Sequence, residues 1–129
     1  MKQMGPFLDD LASSAAVPGG GSAAAVAAAM GAALLAMVCN LTVGRKRYVD
    51  VEERARYARD QAFAALARAR VLADEDADAY GLVSAAMALP RVTDAERAIR
   101  RLALQEALKA AAVPPLETMA IASVGISWT

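Results

Sequence analysis

The stretch GGGSAAAVAAAMGAALLAMVCNLTVG, Gly19 to Gly44, decides how this chain is read. It carries no charge, and none occurs anywhere between Asp10 and Arg45. Alanine, the strongest helix former, dominates it, and β-branched residues are few. Three successive glycines disfavour helix and strand, so Gly19-Gly20-Gly21 reads as a loop, with Ser22 as the N-cap of a helix over 23–43. Gly44 supplies the stop. Small residues lie on every face of this segment, Ala27, Gly31 and Ala32 near its middle, and small side chains let helix axes approach closely. The expectation is a central helix packed tightly against several others or against its own copy. Residues 22–43 are long enough to span a bilayer. Alanine, however, drives insertion weakly, and the acidic pair Asp9-Asp10 upstream is unlike the basic start of a signal peptide. The reading is therefore a buried helix of a soluble protein with no membrane partner.

Outward from this core the pattern stays helical. Upstream, Phe7, Leu8 and Leu11 share one face of a short amphipathic segment. Downstream, the basic run Arg45-Lys46-Arg47 and Tyr48 leads to Asp50 and Glu53, spaced as a capping box. The helix this box opens runs over 51–89 and is stopped by Pro90. At 1.5 Å per residue it is about 55 Å long, more than one small globule needs. Thr93 and Glu96 form a second box, opening a helix over 94–112 that sets Ile99, Leu102 and Ala103 on one face. Pro114 and Pro115 end it. Residues 116–129 begin like a fifth helix, and only 121–128 hints at a strand. The fold class is all-α: a single domain over 1–129, an elongated antiparallel bundle with a long central helix, expected to be dimeric.

Composition narrows the chemistry. The 129 residues include 14 basic and 14 acidic side chains, a net charge of zero, so nothing pulls the chain toward nucleic acid. One cysteine, Cys39, rules out a disulfide framework and suits a reducing, cytoplasmic setting. There is no histidine. That removes the commonest general base and the commonest metal ligand, and with them triad and zinc-histidine schemes. Proton chemistry falls to carboxylates, Lys, Tyr or water.

One carboxylate stands apart. On a helical wheel Ala58, Ala62, Ala65, Ala69, Leu72, Ala79, Tyr80, Val83 and Met87 occupy a single apolar arc, and Asp76 lies near its middle. Asp74 and Asp78 fall opposite, with Glu75 at the margin. A carboxyl group among apolar side chains is costly unless paired or protonated, and burial favours the proton-bearing form, a donor near neutral pH. The competing reading is an ion pair with an arginine of a neighbouring helix. Elsewhere the glycine run before a helix could cradle an anion, though no lysine follows as a Walker A loop requires. Arg45-Lys46-Arg47 suits either a helix end or an anionic ligand. Asn40, polar within an apolar helix, either braces the core or reads a ligand's edge. Cys39 reads as a small buried hydrophobe.

Taken together, Pro18 to Tyr48, then LADEDADAYGLVSAAMALPRVTDAE and LQEALKAAAVPPLE, resemble the folate cyclodeaminase/cyclohydrolase family. That family includes the cyclodeaminase domain of formiminotransferase-cyclodeaminase and stand-alone methenyltetrahydrofolate cyclohydrolases. The resemblance runs to Glu117. Val113-Pro114-Pro115 carries an extra proline against the usual pattern, the end ASVGISWT does not look like the family, and family members carry further C-terminal helices. The resemblance implies a helical homodimer, a tetrahydrofolate derivative bound near the subunit interface as substrate, and no cofactor or metal. It implies that Asp76, the second aspartate of the D-x-D-A-x-A-aromatic motif, is the proton donor. It implies too that Gly19, Gly20, Gly21, Ser22, Arg45 and Lys46 line the substrate pocket, to which Asn40 is added as the candidate reader of the ligand's polar edge. The reaction would be a lyase's cyclodeamination or a hydrolase's ring opening; the alternative is a non-catalytic dimer of the same fold.

Overall fold

The computed structural model describes residues 3–127, and among them every regular element is helical. The order is α1 (Met4–Ala12), α2 (Gly20–Thr42), a 3-10 turn (Lys46–Val51), α3 (Glu52–Met87) and α4 (Asp94–Ser127). Short connections fold the three long helices back on one another. Ser22 of α2 meets Ala73 and Asp76 of α3, whereas Met37, Asn40 and Leu41 line a groove with Phe63 and Leu66. Rising numbers on one helix meet falling numbers on the next, so α2 and α3 are antiparallel. Arg68 reaches Glu117, Val83 and Ala86 pack with Ala107, and Arg100 donates to the Met87 carbonyl. The α3–α4 pair is antiparallel for the same reason, as expected of the bundle.

The core is built from small side chains. Ala25, Ala29, Ala32 and Ala36 of α2 are buried, as are Ala62, Ala69, Leu72 and Ala73 of α3. Alanine on both sides lets backbones approach closely, and Leu72, wholly enclosed, is the largest fully buried side chain. Phe7 packs with Ala25, Val26, Leu72 and Ala73, joined by Leu11 and Ile121, so α1 closes the end of the bundle where α2 begins. Phe7 and Leu11, one turn apart, face inward. Leu8 is exposed, because the contact surface offered to α1 is narrower than the apolar face of its wheel.

Four boundaries differ from expectation. The α2 helix starts at Gly20 with Gly19 as N-cap, so Gly20 and Gly21 are helical and Ser22 is no cap; its hydroxyl is spent on α3. The Asp50–Glu53 box does not form. Asp50 lies in the 3-10 turn, and α3 opens after Val51 with no side-chain cap. Glu52 instead accepts from the Gly44 amide at 2.7 Å, tying the α2 exit to the α3 start. At the other end α3 stops at Met87, two residues short of Leu89. The largest difference is in α4, which runs through Pro114 and Pro115 to Ser127, leaving neither a break at 112 nor a strand over the described part of 121–128. Proline removes a donor and crowds the preceding turn, but an inward seam runs past this point. Ala107, Pro114 and Thr118 are buried, and Leu104, Ala111, Ile121 and Gly125 half-buried. Their alternating three- and four-residue spacing keeps one face on the bundle, and the Thr118 hydroxyl donates to the Pro114 carbonyl at 3.0 Å.

Two expectations match directly. Gly44 adopts φ +80° just past α2, the left-handed stop that favours glycine. Thr93 and Glu96 form their reciprocal box: the Glu96 amide donates to Thr93 Oγ1 at 3.1 Å, and the Thr93 amide to Glu96 Oε2 at 3.3 Å.

Candidate functional site

Asp76 sits where the start of α2 crosses the middle of α3. The side chain is half-buried, neither enclosed in the core as the wheel suggests nor exposed as Asp74 and Asp78 are. Its carboxylate lies directly over Gly21: a Cβ there would overlap Asp76 Cγ and both carboxylate oxygens. Beside it the Ser22 hydroxyl is 2.7 Å from the Ala73 carbonyl and 3.5 Å from Asp76 Oδ2. Ala73 precedes Asp76 by three residues, so one serine touches both ends of a single α3 turn. Ser22 is only 1% exposed. It faces α3, not solvent.

Tyr80 and Met87, assigned to the same apolar arc, are exposed, while Ala73 and Ala86, which the arc omitted, are buried. The true inward stripe is rotated slightly from the wheel because α3 packs on two partners, α2 and α4. That rotation moves Asp76 from the centre of a buried face to its edge, within reach of solvent.

Glu75, the neighbouring acid, faces another way. Its carboxylate accepts two hydrogen bonds from the Arg68 guanidinium, at 2.9 and 3.0 Å, while Arg68 Nε donates to Glu117 of α4 at 2.5 Å. The hydrogen bonds from Arg68 hold the Glu75 carboxyl below its ordinary range, and those to Glu75 and Glu117 hold the Arg68 charge more firmly than usual. The arginine found beside this acidic run, Arg68 of α3 itself, serves Glu75. Sequence reading missed this three-residue network, since its seven-residue spacing on α3 was visible but the Glu117 contribution depends on how α4 docks.

The remaining candidates do not gather at Asp76. Gly19 and Gly20 are near it in sequence, but Gly20 faces open space and a Cβ on Gly19 would make only an ordinary 3.6 Å contact. Asn40 is exposed, not braced in the core. It lines an open groove of about 330 Å³ with Ala33, Ala36, Met37, Leu41, Phe63 and Leu66. A second groove of about 790 Å³ includes Cys39, Thr42, Arg54 and Tyr57; Cys39 is half-buried there, less enclosed than expected. Arg45 and Lys46 are at the far end of α2, and at 1.5 Å per residue they stand roughly 35 Å from Gly21. Within one chain the glycines and the basic exit cannot line one pocket. Among the described residues no cluster of three metal-binding side chains occurs.

Known proteins match this chain along nearly its full length. Residues 3–128 match the family described as formiminotransferase-cyclodeaminase, so the match extends past Glu117 into the segment that looked unlike the family. The chain is 47% identical over 110 residues to methenyltetrahydrofolate cyclohydrolase of Methylorubrum extorquens, covering 85% of this chain and 53% of that protein. It is 39% identical over 115 residues to formimidoyltransferase-cyclodeaminase of Sus scrofa, covering 89% of this chain and 21% of that protein. Among solved structures, formiminotetrahydrofolate cyclodeaminase of Thermotoga maritima superposes with a TM-score of 0.77 at 31% identity, covering 93% of this chain and 56% of the other. The chain therefore spans about half the length of the cyclohydrolase and of the solved cyclodeaminase, and about a fifth of the pig protein.

Proposed function

Because this chain belongs to the formiminotransferase-cyclodeaminase family, we propose that it acts on the one-carbon bridge between N5 and N10 of tetrahydrofolate. The 47% identity to a methenyltetrahydrofolate cyclohydrolase, across 85% of the chain, carries this reading. It also favours ring opening over cyclodeamination, since the cyclodeaminase relatives stand at 31–40%. In ring opening, water adds to the methenyl carbon, giving a tetrahedral carbon bonded to both nitrogens. Cleavage of the C–N5 bond then leaves a formyl group on N10. In cyclodeamination, N10 attacks a formimino carbon and ammonia departs. Both reactions need a group that takes a proton from the nucleophile or delivers one to the departing nitrogen. In a chain without histidine, Asp76 is our candidate for both roles, with no resident metal or cofactor.

The same reading takes the working form to be a cytoplasmic homodimer. Gly20, Ala24, Ala27, Gly31, Leu34, Val38 and Leu41 form a continuous exposed stripe on α2. It is small-sided at the glycine end and large-sided at the other, and α2 is apolar enough, at mean hydropathy 2.1, for such a face to need cover. An antiparallel second copy would lay Leu41 and Val38 on Gly20 and Ala24, with Gly31 near the crossing. It would also bring the basic exit of one copy to the glycine end of the other, which a single chain cannot do.

Two measurements test the proposal. With methenyl-tetrahydrofolate and, separately, formimino-tetrahydrofolate, the methenyl absorbance should report turnover, and Asp76→Asn should lower kcat by roughly 10²- to 10⁴-fold. Turnover of neither substrate, or an Asp76→Asn rate equal to wild type, defeats the catalytic reading; folate binding without turnover would instead favour a non-catalytic dimer. Leu34→Asp, at the large-sided half of the stripe, should shift sedimentation from dimer to monomer. An unchanged mass would mean that the second copy lies elsewhere.

A further inference from the structure

We propose that Gly21 and Ser22 together form the seat of the Asp76 carboxylate, and act on the reaction as positioning residues without touching substrate. The proposal rests on the catalytic reading of Asp76 given above. It departs from the expectation that the whole glycine run lines a folate pocket.

Three observations carry it. First, the glycines are not equivalent. A side chain on Gly20 would meet nothing within 4 Å and one on Gly19 only the Ala16 carbonyl at ordinary contact, whereas any Cβ on Gly21 would occupy the volume of the Asp76 carboxylate. Gly21 has no left-handed conformation to explain it, since Gly44 alone among the described residues has positive φ. Its missing side chain is what admits Asp76. Second, Ser22 is buried with its Oγ 2.7 Å from the Ala73 carbonyl and 3.5 Å from Asp76 Oδ2. A hydroxyl has one proton and two lone pairs. With its proton on the Ala73 carbonyl, a lone pair remains for a proton carried by Asp76. With Asp76 ionised, the hydroxyl can turn its proton toward Oδ2. One serine can therefore serve the carboxyl group in either state without rearranging the helices. Third, the contact is made between backbones drawn close by alanine at Ala25 and Ala73, both buried, so the seat is held by the core and not by a loop.

Two substitutions test it, each made in wild type and in Asp76→Asn. Gly21→Ala should displace the carboxylate and lower kcat about tenfold or more, as misplacement of a reacting group does, with KM changed much less. Ser22→Ala, which removes one oxygen, should lower kcat by a smaller factor, and Ser22→Thr should recover part of it. Neither Gly21→Ala nor Ser22→Ala should lower the residual rate of Asp76→Asn further, because both act through the carboxylate that Asp76→Asn has already replaced. Circular dichroism melts identify any variant that fails to fold. Should Gly21→Ala fail so, Ser22→Ala decides alone. Losses that multiply on the Asp76→Asn background, or an unchanged kcat in both folded variants, overturn the seat. If Asp76→Asn itself keeps wild-type turnover, the catalytic reading falls separately. The seat is then judged by a crystal structure of Gly21→Ala, or of Ser22→Ala if the former does not fold: an Asp76 carboxylate found in its original place refutes it.

Discussion

The α2–α3 seam and the α3–α4 seam solve the same packing problem differently. Between α2 and α3 the contact is nearly all alanine, glycine and one buried serine, with Leu72 as the largest enclosed side chain. Between α3 and α4 a half-exposed arginine clasps two glutamates, and the apolar part is the small cluster Val83, Ala86 and Ala107. The first seam brings backbones close enough for a carboxylate on one helix to rest on the Cα of the other. Such a contact tolerates no added atom. The second seam works through long, flexible side chains near water, where geometry is loose and an ion pair contributes little. A site that must hold a carboxylate in place belongs at the first, and Asp76 is found there.

The comparison predicts graded responses. Leu72→Ala, at the closed seam, should cost about 2–5 kcal/mol, measured by denaturant unfolding, since it opens a cavity among Phe7, Ala25, Val26 and Ala73 that these packed neighbours fill only in part. A cost below about 1 kcal/mol would mean that the seam relaxes more than its small residues allow. Ala25→Leu, wholly buried on the same seam, should cost about 1–3 kcal/mol by overpacking; a neutral result would contradict the close approach of α2 and α3. The smallest effect belongs to the open seam. Arg68 holds Glu75 below its ordinary carboxyl range, so this pair adds stability above the unfolded-state value near 4.5 and loses it as pH falls through the lower folded value. Glu75→Gln should therefore slightly lower the melting temperature at neutral pH and leave it unchanged at strongly acidic pH, with the difference shrinking in high salt. Equal destabilisation at all pH values would mean that Glu75 acts by packing, not charge.

Much of this was legible along the chain, for local reasons. Alanine content and the Thr93–Glu96 box call for helices whatever their surroundings, and Gly44 stops α2 through its own φ. The wheel separated Asp76 from Asp74 and Asp78 because helical periodicity is a property of the backbone. Where reading failed, a partner helix had changed the local preference. Gly20 and Gly21 are poor helix formers, yet they are helical because α2 begins against α3 and Asp76 occupies the space a side chain would take. Ser22 has the chemistry of a cap but donates to Ala73 across the seam. Pro114 and Pro115 should end a helix, and do not, because the inward stripe from Leu104 to Gly125 keeps α4 docked across them.

Composition and periodicity thus dictated the helices of the described residues, a set of reactive side chains without histidine, and one acid unlike its neighbours. These depend on residue type and on a fixed 100° per residue, and need no knowledge of what lies alongside. Which glycine matters, what the serine binds, which acid Arg68 holds and how far apart the basic exit stands from Asp76 were decided by tertiary structure. Each is a distance between helices, and helix–helix distances are set by side chains that meet across a seam from positions some fifty residues apart.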